Sequence, residues 1–96
     1  MAVQQLDELA MRIEAWMRER NWAAIGAVDA LLRDLVAEAL ADPSPDRPRL
    51  EQTINRLREL YRQAESSVET EKNQSGHEMT LARRNLRAAR SYLANR

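Results

Sequence analysis

Every proline of this 96-residue chain lies in one stretch, Asp42-Pro43-Ser44-Pro45-Asp46-Arg47-Pro48. Proline removes a backbone donor and biases its predecessor away from helix, so this stretch is a loop and both flanks lack the strongest helix breaker. Glycine occurs only at Gly26 and Gly76, and phenylalanine is absent. With few β-branched residues against many Ala, Leu, Glu, Gln and Arg, sheets lack their usual material. The sequence predicts an all-α antiparallel helical bundle in a single domain, residues 1–96, because 44% hydrophobic residues can bury one core but not two.

Apolar spacing divides the chain into helical passages. Ala2, Leu6, Leu9, Ile13 and Trp16 recur at steps of four and three, flanked by Val3, Ala10 and Met17. Asn21 then offers an N-cap, and Ile25, Val28, Leu32, Leu35 and Ala39 repeat the pattern, widened by Ala24, Leu31 and Val36. So short a joint predicts an antiparallel hairpin of helices over about 3–20 and 22–41. Trp16 and Trp22 bracket the joint as core anchors, and Gly26 reads as a site of close helix packing. After the loop, with Pro48 tolerated in the first turn, Leu50, Ile54, Leu57, Tyr61, Ala64 and Val68 mark a long third helix over about 47–72.

From Glu69 to His77 the stripe fails, and it resumes at Met79, Ala82, Leu86, Ala89 and Leu93 in a passage over about 77–94. Two readings compete. A continuous third helix would run roughly 70 Å and project beyond partners of roughly 30 Å. Alternatively, Ser75-Gly76-His77-Glu78 is a break, with Ser75 as N-cap and Glu78 completing a capping box. Phase along Val68, Lys72, Ser75 and Met79 favours continuity slightly, while Gly76 leaves room for a bend near 73–77.

Fifteen basic and fifteen acidic side chains sum to zero, but unevenly. Residues 1–45 carry four arginines against eight acids, net −4, and residues 46–96 carry eleven basic residues against seven acids, net +4. Arg83, Arg84, Arg87, Arg90 and Arg96 close the chain with no acid after Glu78. The last passage is thus a cationic amphipathic helix, expected to dock its arginines on the acidic N-terminal half, to capture an acidic partner, or to contact nucleic acid or membrane. A solvated cationic face over a packed apolar side is the plainer reading.

Zero cysteines and one histidine remove thiolate zinc sites, cysteine nucleophiles and imidazole clusters. His77-Glu78 begins like a zinc-protease helix, but Leu81 stands where the second histidine belongs, and Gln74 takes the place of a di-iron glutamate. Gly26 and Gly76 lie too far apart for a phosphate loop. No enzyme activity, metal or cofactor is expected. The longest apolar run, Trp22–Val28, is too short for membrane insertion, and Asp7, Glu8, Arg12 and Glu14 interrupt any signal-peptide core, so a cytoplasmic protein is expected.

Asn21-Trp22-Ala23-Ala24-Ile25-Gly26-Ala27-Val28-Asp29, followed by Arg33 and Val36-Ala37-Glu38-Ala39, resembles the second helix of FliT-type flagellar export chaperones. The likeness extends to Leu57-Arg58-Glu59-Leu60-Tyr61-Arg62 and Ala89-Arg90-Ser91-Tyr92, covering almost the whole chain, while the polar Glu69–His77 stretch departs from it. The resemblance implies a chaperone that binds the C-terminal part of the flagellar filament-cap protein, prevents premature assembly and delivers it to the type III export apparatus. Partners it implies are the export ATPase complex and, in some bacteria, a flagellar transcription regulator. It further implies a C-terminal helix folding over a hydrophobic surface. Here that surface is assigned to Leu31, Leu35, Leu57, Tyr61, Ala64 and Val68, and the regulatory helix to Arg83, Leu86, Arg87, Ala89, Arg90, Tyr92 and Leu93. Three alternatives stand beside it: pairing of a projecting end into a homodimer, a structural coiled-coil module, and a nucleic-acid-associated or transcription-regulating protein. Nucleic acid is disfavoured by the few positive charges and the lack of aromatic interleaving beyond Tyr92.

Overall fold

In the computed structural model the described residues are 2–42, 47–70 and 76–94, excepting the side chains of 76–80. They form α1 (Ala2–Arg18), α2 (Trp22–Ala27), α3 (Asp29–Ala41), α4 (Arg47–Thr70) and α5 (Gly76–Ala94), with no strand among them. The fold is an all-α bundle, as the breaker distribution requires.

The joint after α1 is a Schellman turn. Asn21 N–H donates to Trp16 C=O at 2.8 Å and Arg20 N–H to Met17 C=O at 3.1 Å, with Arg20 left-handed at φ 57°. Asn21 then caps α2 by accepting from the Ala24 N–H at 3.2 Å, so one residue ends a helix and starts the next. Trp22 is buried beside this turn and Trp16 half-buried, which anchors the hairpin.

The helix expected over 22–41 is interrupted at Val28, which is at once the C-cap of α2 and the N-cap of α3. Spacing alone could not show this, because the apolar stripe passes through the break without losing phase. Past Asp42, whose N–H still donates to Glu38 C=O, residues 43–46 lie outside the described residues. Pro48 falls in the first turn of α4, where its missing donor costs nothing.

The long projecting helix does not form. Residues 71–75, including the proposed Ser75 cap, lie outside the described residues, but α5 packs along α4 and α2, and the whole molecule extends only 46 × 22 × 17 Å. Contacts set the directions. Residue numbers rise together where α1 meets α4 (Asp7 with Arg49 and Thr53, Glu14 with Arg56), so these helices are parallel. They run oppositely where α4 meets α5 (Arg58 with Leu93, Glu65 with Arg90, Glu69 with Arg83), so these are antiparallel. Two helical hairpins therefore lie side by side with like ends together, around a core containing Leu6, Ile13, Ile25, Leu32, Ile54 and Leu86.

Asp7 fastens α1 to α4. It accepts from Thr53 Oγ1 at 2.6 Å, satisfying a buried hydroxyl, and from Arg49 Nη2 at 2.8 Å. Burial opposes its ionisation, but the hydrogen bonds from Thr53 and Arg49 and the nearby arginine charges prevail and hold the carboxyl below its ordinary 3.8. A depressed carboxyl stabilises the fold above its unfolded pKa and loses that contribution as the pH falls through the lower folded value. Asp7→Asn is expected to lower stability at neutral pH and to flatten the acid dependence below pH 3.8, measured by urea unfolding at a series of pH values. At the Schellman turn, Arg20→Gly removes a left-handed side-chain penalty of about 1–2 kcal/mol, partly offset by glycine entropy. The net gain expected is about 0.5–1 kcal/mol in the same measurement.

Candidate functional site

On α4, Leu57, Tyr61, Ala64 and Val68 are spaced three and four apart and form one stripe, all with no exposed surface. One flank of the stripe meets α1 through Arg49, Thr53 and Arg56; the other meets α5 through Arg58, Glu65 and Glu69. Into the same core α5 sends Ala82, Leu86, Ala89 and Leu93, each buried. The fourth apolar stripe thus completes the core, and α5 is the wall of the candidate site.

In its polar fastenings Arg87, Arg90 and Glu69 are solvent-accessible, whereas Glu65 is largely buried and its Oε2, like Arg83 Nε, is buried with no hydrogen-bond partner among the described residues. Glu65 forms ion pairs with Arg90, whose Nε lies 2.8 Å away, and with Arg87, whose Nε lies 3.7 Å away, and Glu69 forms one with Arg83, whose Nε lies 3.3 Å away. Arg58 Nε donates to Leu93 C=O at 2.9 Å, satisfying a carbonyl at the negative end of α5. Arg33 sits over the Tyr92 ring at 5.1 Å, tying α5 to α3. The expected docking of the C-terminal arginines on the N-terminal acids is thereby corrected: Arg83, Arg87 and Arg90 pair within the C-terminal hairpin. The two halves do attract, but Asp7 and Glu14 meet Arg49 and Arg56 of α4. An antiparallel neighbour places Glu65 and Glu69, one turn apart, along the edge that α5 covers. Exposed pairs contribute about 0–1 kcal/mol each, whereas burying one leucine contributes about 1.5–3 kcal/mol, so the apolar side holds α5 and the arginines tune its seat.

Two further residues define the seat. Gly26 is buried on α2, where an added Cβ would lie 3.2 Å from Asn85 Cβ and 3.8 Å from Ala82 Cα, so the missing side chain lets α5 approach α2 closely. Tyr61 is fully buried and its hydroxyl finds no hydrogen-bond partner among the described residues. Burial, reinforced by the negative charge of Asp29, pushes its pKa far above the ordinary 10.

The six residues assigned to one surface divide into two. Leu57, Tyr61, Ala64 and Val68 come together beneath α5. Leu31 and Leu35 instead line a separate groove between α1 and α3 with Gln5, Glu8, Leu9 and Arg12, about 210 Å³ in volume, where Leu35 is buried and Leu31 is 49% exposed. Sequence reasoning missed Glu65, Glu69 and Arg58 as the partners of α5. The signal for the acids was their four-residue spacing on the edge of the α4 stripe. Among the described residues, no group of His, Cys, Asp or Glu could hold a metal ion, and no helix is long and apolar enough to cross a membrane. The chain matches no family model, no curated protein and no solved structure.

An unpartnered buried hydroxyl costs about 1–3 kcal/mol, so its removal without a change of shape should be favourable. Tyr61→Phe is expected to leave stability unchanged or raise it by about 1 kcal/mol, measured by urea unfolding; a loss above 1 kcal/mol would mean that the hydroxyl has a partner.

Proposed function

We propose that this chain is a FliT-type export chaperone: a cytoplasmic, non-enzymatic protein that binds the C-terminal part of a flagellar filament-cap protein and escorts it to the export ATPase complex. A flagellar transcription regulator belongs to the same proposed set of partners. The observation that carries the reading is the closed stripe Leu57, Tyr61, Ala64 and Val68, covered by an amphipathic helix whose Arg87 and Arg90 stay about half-exposed beside the largely buried Glu65. An apolar cargo helix would take the place of Leu86 and Leu93, binding by a few anchors while the rim charges set the balance between cover and cargo. Leu31 and Leu35 lie off this stripe, which narrows the proposed cargo surface to the four residues of α4.

The test compares the full chain with Gly26→Leu, whose added side chain has no room between α2 and α5. Overpacking of this kind costs about 1–3 kcal/mol, and here it falls on the seat of α5. Amide exchange should quicken in α5 before the rest of the bundle, and calorimetry with a C-terminal filament-cap fragment should show about tenfold tighter binding. Glu65→Lys, which turns two ion pairs into repulsion, should act in the same direction. Absence of binding by all three forms rejects the chaperone reading, and equal affinity for all three rejects the role of α5 as cover.

A further inference from the structure

Two faces remain open when α5 is docked, and they complement each other. The first is the groove between α1 and α3, with Leu9 and Leu35 at its base and Leu31 half-exposed along one side. Glu8 lines it, and Asp34 and Glu38, both exposed, stand one turn from Leu31 and Leu35. Asp7, Glu14, Asp29, Glu59, Glu65 and Glu69 each pair with an arginine. Glu8, Asp34 and Glu38 pair with none among the described residues, and Arg12 is the cation on the groove wall. The groove is a hole of leucine size whose surroundings carry three acids, Glu8, Asp34 and Glu38, against the one cation Arg12.

The second face is the outer side of α5. Leu81 is 48% exposed there, although the apolar side of the same helix is buried. Arg84, one turn on, is exposed and meets no carboxylate among the described residues, and Ala88 follows on the same line. Arg87 keeps 63% of its side chain exposed beside Glu65. A leucine knob with cationic flanks and a small residue that permits close approach therefore faces outward. It lies on α5, which packs on α4, α2 and α3, whereas the groove lies between α1 and α3.

We infer that the chain associates head to tail with further copies of itself, Leu81 of one copy entering the groove beside Leu31 of the next, with Arg84 and Arg87 against Glu8, Asp34 and Glu38. A single contact of this kind uses the hole of one copy and the knob of the other, so a head-to-tail pair keeps one unused hole and one unused knob and is open to further copies. One helix face in one groove buries less than a standard interface, so the association is weak and is steered by charges that salt screens. Nothing in it requires cargo or movement of α5, so it stands or falls apart from the chaperone reading.

Sedimentation velocity of the full chain over roughly micromolar to millimolar concentration tests it. The expected result is a mass that rises with concentration past two copies and falls when salt is added. Leu31→Asp and Leu81→Asp should each be monomeric at the highest concentration, and both positions are half-exposed, so a thermal melt should find the fold intact. Mixed in equal amounts, the two variants should form a 1:1 complex and nothing larger, because one supplies a sound knob and the other a sound hole. A wild-type chain that stays monomeric or stops at a closed dimer overturns the inference, as do single variants that still associate or a mixture that does not.

Discussion

The contact of α5 with α4 and α2 governs the rest of the structure. The stripe of α4 from Leu57 to Val68 has α1 along one edge only, and it reaches zero exposure because Leu86, Ala89 and Leu93 arrive on the other side. At Gly26 the helices approach so closely that a Cβ would press on Asn85, which makes α5 a structural wall rather than an appendage. A bundle this small has one core, and every stripe must find it.

Electrostatics follows the same geometry. α4 is the hub, presenting Arg49 and Arg56 to the acids of α1 on one edge and Glu65 and Glu69 to the arginines of α5 on the other. The uneven charge of the two halves is therefore only partly neutralised by contact between them. Among the described residues, what is left unpaired is only partly segregated, with Glu8, Asp34 and Glu38 beside Arg12 and Arg18 on the N-terminal hairpin and Arg84 on α5. Such segregation contributes little to stability but shapes the field that an approaching partner meets.

Helix content, the hairpin turn at Asn21 and nearly the whole core were legible in the sequence, because each rests on local periodicity or a capping residue. The stripes containing Leu6, Ile13, Ile54 and Leu93 all became core as their spacing required. Two features were not legible, for physical reasons. The return of α5 depends on a core shared by residues far apart in sequence, whereas the local phase across Val68 to Met79 pointed the other way. The partners of Arg83, Arg87 and Arg90 depend on which neighbour α5 lies against, and net charge per half carries no such information. Of the candidate site, the α4 residues were recognised as a stripe, but their separation from Leu31 and Leu35 required knowing which helices adjoin.

That separation traces to the interruption at Val28. A straight helix over 22–41 would present one face along its length, yet α2 lies mainly against α5 while α3 lies mainly against α1. The break lets consecutive turns of one apolar passage serve two neighbours. It also makes Asp29 the first residue of α3, where a carboxylate suits the positive end of the helix and engages Arg33 at 3.4 Å. Arg33 in turn covers Tyr92 of α5, and the Asp29 charge acts on the buried Tyr61 hydroxyl. By turning α3 toward α1, the same break leaves Leu31 half-exposed on the groove they share. One irregular residue thus joins the helix that seats α5 to the helix that carries the open face beside Leu31.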